Sequence, residues 1–177
     1  MNLTEEEKAE LRGLAKNAIE SVLLGKQAET ANIPERLKEK GGAFVTIKKK
    51  GDLRGCIGYI HAVLPIWETV KEAAIHAAFH DPRFDPVDRK EWKDIDMEIS
   101  VLTPMKKIED VAEIEVGIHG LYIEKGYNSG LLLPQVATEY NWDRMTFLEH
   151  TCFKAGLPKN AWKSKDTNIY IFSADIF

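Results

Sequence analysis

Residues 53–60 read LRGCIGYI, a stretch that alternates like a strand yet sets Cys56 and Ile57 between Gly55 and Gly58, with Arg54 just ahead. Glycine inside a strand costs backbone entropy and packs nothing, so the pair predicts a bulge or a close approach of another backbone. A thiol attacks only as thiolate, and a neighbouring cation favours that form. In a flat strand Arg54 and Cys56 lie on one face. Cys56 is therefore a candidate nucleophile and Arg54 its activator or an anion clamp. The competing reading makes Cys56 a small buried hydrophobe and Arg54 an edge charge.

Such a thiol needs a base, and five histidines are available. His119, beside Gly120 at the expected start of a strand, is the first choice for acid/base work, against the simpler reading of a hydrogen-bonded structural histidine. His76 and His80 share a helix face at i, i+4, the spacing that begins some metal sites. No acid or cysteine at motif spacing completes one, so a solvated face is the expectation and no metal is assigned. His61 reads as a loop histidine, and His150 and Cys152 point to different faces of a helix.

The segment DPRFDP at 81–86 is a charged loop stiffened by two prolines. Arg83 there could hold a carboxylate or phosphate, or Asp81 and Arg83 could close an internal salt bridge that fixes the loop. Trp67, Trp92, Trp142 and Trp162 read as core or lobe-interface residues rather than ligand platforms.

Several elements must position these groups. Thr4 to Glu7 forms a capping box, after which Leu11, Leu14, Ala15, Ala18, Ile19, Val22 and Leu23 recur at helical spacing and Gly25 closes the helix. Ala43–Lys48 and LRGCIGYI flank the turn residues Lys50, Gly51 and Asp52, which predicts a hairpin with the cysteine on its second strand. From Pro65 to His80 an alanine-rich face predicts a helix packed closely on the sheet. Ile95–Thr103 reads as a strand ended by Pro104, and 118–124 with 130–133 as a second hairpin joined through Gly126, Asn128 and Ser129. A helix from an Asp143 cap to Gly156 and a last strand at 168–173 complete the pattern. Hairpins with interspersed helices point to an α+β fold, a mixed, largely antiparallel sheet flanked by helices, rather than a doubly wound one.

The 177 residues suit one domain, 1–177, or one domain with two subdomains. At 44% hydrophobic and 29% charged, with seven prolines, the composition is that of an ordinary globular chain. Acids at the N-terminus, where a secretory signal would be basic and apolar, predict a cytoplasmic location. The apolar runs are too short for a membrane span. In a reducing compartment Cys56 and Cys152 are expected as free thiols. A net charge of −4, with basic residues scattered except at Lys48–Lys50, disfavours nucleic acid. The lysine run reads as solvating an edge strand and its turn.

Together LRGCIGYI, DPRFDP, MEISVLTP, HGLYIEKGYNSGLLLPQVA and WDRMTFLEHTCFKAGLP, in this order from about Ala43, resemble the AMME chromosomal region protein family, the AMMECR domain. The resemblance implies an α+β fold with two unequal lobes around a cleft, centred on the LRGCIG segment. Leu53, Arg54, Gly55, Cys56, Ile57 and Gly58 match that segment, Asp81, Pro82, Arg83 and Phe84 the proline-bearing loop, and His119, Gly120, Leu133, Pro134 and Gln135 a later one. His76 and His80 fall outside the pattern. The resemblance further implies a pathway shared with Memo-like and radical SAM proteins, or a regulatory role in gene expression; it implies no settled reaction, and the cofactor is unknown.

Three functions follow. One is an enzyme or enzyme component acting on a small molecule, with Cys56 as nucleophile, Arg54 and His119 assisting, and Gly55, Gly58, Asp81 and Arg83 shaping the ligand site. Another is an adaptor whose cleft binds a Memo-like or radical SAM partner and whose Cys56 is packed. Nucleic-acid binding ranks last, because it conflicts with the acidic balance.

Overall fold

A computed structural model describes residues 2–25 and 33–177. The elements in order are α1 (Glu5–Leu24), β1 (Ala43–Lys49), β2 (Asp52–Tyr59), α2 (Ile66–Phe79), β3 (Ile95–Leu102), β4 (Lys106–Ile108), β5 (Gly120–Lys125), β6 (Asn128–Leu132), α3 (Pro134–Glu139), α4 (Arg144–Lys154), β7 (Asn168–Phe172) and β8 (Ala174–Ile176). The fold is α+β, as expected, but its strands form two four-stranded antiparallel sheets rather than one mixed sheet. They belong to two compact units, one of residues 1–102 with 175–177 and one of residues 103–174.

In the first unit the sheet order is β2-β1-β3-β8. Helix α1 starts at the Thr4–Glu7 capping box, both halves of which form, and ends at Gly25 in the left-handed conformation. Its buried stripe of Leu11, Ala15, Ala18, Ile19 and Leu23 is the one the spacing predicts, although Val22 is exposed. Val45 and Ile47 of β1, Ile99 and Val101 of β3 and the apolar faces of α1 and α2 form one core. Strands β1 and β2 join through a two-residue turn in which Lys50 and Gly51 both take positive φ (53° and 90°), the geometry that matches hairpin twist.

The lysine run sits differently from the expectation. β1 is an inner strand, with β2 at the edge. Lys48 pairs with Glu98 at 3.5 Å and Lys49 with Glu91 at 2.7 Å, which neutralises side chains leaving a central strand.

In the second unit the order is β4-β7-β5-β6, and Leu121, Ile123, Phe147, Leu148, Cys152 and Ile171 are among the core residues. Helix α4 begins at the Asp143 cap, whose side chain accepts the Thr146 N–H, and Gly156 follows its end with φ 70°. The β5–β6 turn is tighter than the sequence suggests: it consists of Gly126 and Tyr127, and Asn128 and Ser129 already pair with β5. β4, α3 and β8 have no counterpart in the pattern read from the sequence.

Candidate functional site

The hairpin register breaks between Ile47 and Lys48: Lys48 faces Leu53 while Ile47 faces Gly55, which leaves Arg54 as the extra residue of a β-bulge. This one residue decides where the cysteine points. Counted outward from the turn without a bulge, Cys56 would oppose Val45, a core residue. With it, Cys56 opposes Thr46, whose other neighbour is Glu98 on β3. Opposed residues of an antiparallel pair share a face. Cys56 therefore lies on the sheet face away from Val45 and Ile47, and its side chain is half-buried. The Thr46 hydroxyl donates to Cys56 Sγ at 3.3 Å.

Both glycines are close approaches. At Gly55 a Cβ would collide with the Ala77 carbonyl of α2, and at Gly58 with the Ala43 carbonyl and the Phe44 ring. The alanines of α2 and Gly55 thus let helix and strand backbones touch.

The Asp81–Phe84 loop meets the edge of β2 at the cysteine. Asp81 Oδ2 accepts the Cys56 N–H at 2.9 Å, and Arg83 Nη2 donates to the Cys56 carbonyl at 3.2 Å. Arg83 also holds Asp81 through Nε (2.9 Å) and Nη2 (2.7 Å). The internal salt bridge is thus formed, and it also stands in for a neighbouring strand by satisfying both main-chain groups of Cys56. The hydrogen bond from the Arg83 side chain, aided by the Cys56 and Arg83 N–H groups and opposed by burial, holds the Asp81 carboxyl well below the usual carboxylate range. Arg83 is stabilised in its charged form first by that bond to Asp81, and its charge also couples to Cys56.

Arg54 turns elsewhere. Its Nη2 and Nε grip Glu91 at 2.7 and 3.3 Å, and Nη1 donates to the Asp85 carbonyl at 2.7 Å. Burial alone would raise the Glu91 carboxyl, but hydrogen bonds from Lys49, Arg54 and the Asp88 N–H, with the Arg54 charge, bring it to about 2. The cation that bonds to Cys56, through its main-chain carbonyl, is thus Arg83, while Arg54 braces the 85–91 segment. Arg54, Pro82, Arg83, Phe84 and Asp85 line a polar cavity of about 440 Å³. The Arg83 side chain is 48% exposed.

His119 lies in the second unit, just before β5 rather than in it. Its Nδ1 accepts the Glu115 N–H at 3.1 Å, a bond that ties its own turn, and Gly120 beside it makes room for the Phe172 ring. His76 Nδ1 meets the Tyr59 hydroxyl at 3.0 Å, and the His80 ring stands edge-on to His76 at 5.3 Å. Among the described residues no group of three His, Cys, Asp or Glu side chains could hold a metal, and no helix is long and apolar enough to cross a membrane. Cys152 is fully buried, and that burial pushes its thiol pKa up.

Thr46 and Glu91 escape a sequence reading. Thr46 could be found only by placing the bulge, and Glu91 only by knowing that its loop folds back on β2.

A profile of the AMMECR1 family matches residues 12–177. Protein MK0488 of Methanopyrus kandleri is 49% identical over 185 residues, covering 99% of this chain and 89% of that protein. A protein of Methanothermobacter thermautotrophicus is 46% identical over 183 residues, covering 99% of this chain and 95% of its own length. The crystal structure of the uncharacterized protein PH0010 from Pyrococcus horikoshii superposes with a TM-score of 0.94 at 44% identity, over 98% of this chain and 92% of that one. With a fold shared along nearly its whole length and a profile that begins within α1 and runs to Phe177, this chain belongs to the AMMECR1 family.

Proposed function

We propose that this chain is an enzyme or enzyme component in which Cys56 acts as a thiolate nucleophile on a small anionic molecule that Arg83 recognises. The observation that carries the reading is the bulge at Arg54, which turns Cys56 from the helix-packed face to the face of Thr46. There Sγ receives a hydroxyl hydrogen bond, a donor that favours negative charge on sulfur. The half-exposed Arg83 side chain donates to the main-chain carbonyl of the same residue. Asp81 fixes that guanidinium from one side, so a ligand carboxylate or phosphate meets an oriented donor instead of a mobile one.

Thiol labelling tests this. A neutral disulfide reagent added to the native chain at pH 7 modifies one thiol quickly, Cys56→Ser abolishes that phase, and Arg83→Gln slows it. Cys152, sealed in its core, reacts only on unfolding. A native chain whose two thiols are equally inert would refute the assignment.

A further inference from the structure

We propose that the edge of β2 at Gly58 binds the C-terminal segment of a partner protein as an added strand, with the partner's terminal carboxylate on Arg83 and an apolar side chain in the groove beyond Gly58. The proposal deepens the anion site described above and rests on it in one respect, that Arg83 receives a carboxylate.

β2 is an edge strand. An exposed edge is a template for pairing unless it is blunted, and most of this one is blunted. Arg54 bulges and its side chain ties down the 85–91 segment. At Cys56 the outward N–H and C=O are taken by Asp81 and Arg83. Main-chain groups of an antiparallel strand alternate sides, so the N–H and C=O of Gly58, two residues on, also point outward. No side chain of the described residues caps them. Beside them Gly58, Tyr59, Ile60, His61, Val63 and Leu64, with Thr69 of α2, bound an apolar groove of about 460 Å³, in which Val63 is 66% exposed. Main-chain pairing with a side-chain pocket alongside is the arrangement by which sheets capture extended peptides.

The blunting at Cys56 specifies which part of a peptide fits. A strand laid along Gly58 must stop at the Asp81–Arg83 pair, about 6.8 Å further on, the rise of two residues. A chain ending there offers a carboxylate. Asp81 is nearly fully buried and already accepts from Cys56 and Arg83, so it does not suit a chain amine. Arg83 presents the opposite sign, and its Nη1 carries no bond to another described residue, which leaves that side of the fork for a carboxylate. Charge and register both select a C-terminus.

The probe is a fluorescein-labelled hexapeptide, Ser-Thr-Thr-Val-Ile-Leu, with a free C-terminal carboxylate, titrated with the full chain by fluorescence polarisation. Saturable binding is expected, weakened about tenfold to hundredfold when the terminus is an amide, the scale of one charge-assisted hydrogen bond. N-methylation of one of the last three peptide nitrogens abolishes binding, because it removes a strand hydrogen bond. Val63→Asp weakens it without touching the edge. These peptide comparisons need no change to Arg83. Equal binding of acid and amide, or indifference to N-methylation, overturns the proposal. So does sedimentation showing a dimer that the peptide cannot dissociate, since a second copy would then own the edge. Because no thiol reagent is present, failure here leaves the Cys56 labelling result standing, and an inert Cys56 leaves peptide binding standing.

Discussion

At Gly55 the contact is between two backbones, since an added Cβ runs into the Ala77 carbonyl oxygen. Neither partner can swing aside as a side-chain tip would. Gly55→Ala is therefore expected to cost about 1–3 kcal/mol or more, the range for overpacking a tight interior, read as a lowered urea midpoint. The sequence pattern reveals that glycines here mean a bulge or a close approach, and both are present. It does not reveal the bulge's address. Period-two reasoning assigns faces only after register is known, and a slip of one residue reverses every face. That is why Arg54, placed beside the thiol by a flat-strand reading, instead grips Glu91, and why Thr46, unremarkable in the sequence, becomes the neighbour of Cys56.

Individual elements were legible where their signals are local. The capping box of α1, the left-handed Gly25, the Asp143 cap and the Lys50–Gly51 turn all depend on residues within one turn of each other. Three-residue strands such as β4 and β8 carry too few positions to show a period, and sheet order depends on contacts between distant segments. The 85–91 segment belongs to this second kind, since Glu91 joins it to both strands of the hairpin through Lys49 and Arg54. Its carboxyl titrates at about 2 in the folded chain against 4.5 for the free group. A depressed carboxyl contributes stability that is present above about 4.5 and disappears as pH falls through about 2. Asp81 acts in the same direction at still lower pH. Glu91→Gln should accordingly lower stability at pH 7 by about 3 kcal/mol, the cost of breaking a mostly buried ion pair from one side. It should also flatten the acid limb of a stability-against-pH curve measured by denaturant unfolding. An unchanged acid limb would show that Glu91 does not carry this linkage.

On the scale of the whole molecule, the described residues build two cores with no residue in common, one around Leu11, Ile47 and Ile99 and one around Leu121, Phe147 and Leu148. The sequence suggested a single sheet because hairpins follow one another without a linker of distinctive composition. The division at Leu102 instead falls just before Pro104, where a strand ends. The chain then returns at Asp175–Phe177 to the first unit, where Asp175 accepts the Leu3 N–H at 2.6 Å and pairs with Lys8 at 3.3 Å. Separate cores make a specific claim about cooperativity. Phe147 is fully buried in the second core, and Phe147→Ala should remove about 3–5 kcal/mol there through lost burial and the cavity left behind. Native-state hydrogen exchange then discriminates. The amides of β5, β6 and β7 should lose protection by about the factor that this energy implies, while those of β1 and β3 keep theirs, because none of their core contacts includes Phe147. Equal loss in both sheets would mean that the chain opens only as a whole, and the two cores would then count as one folding unit.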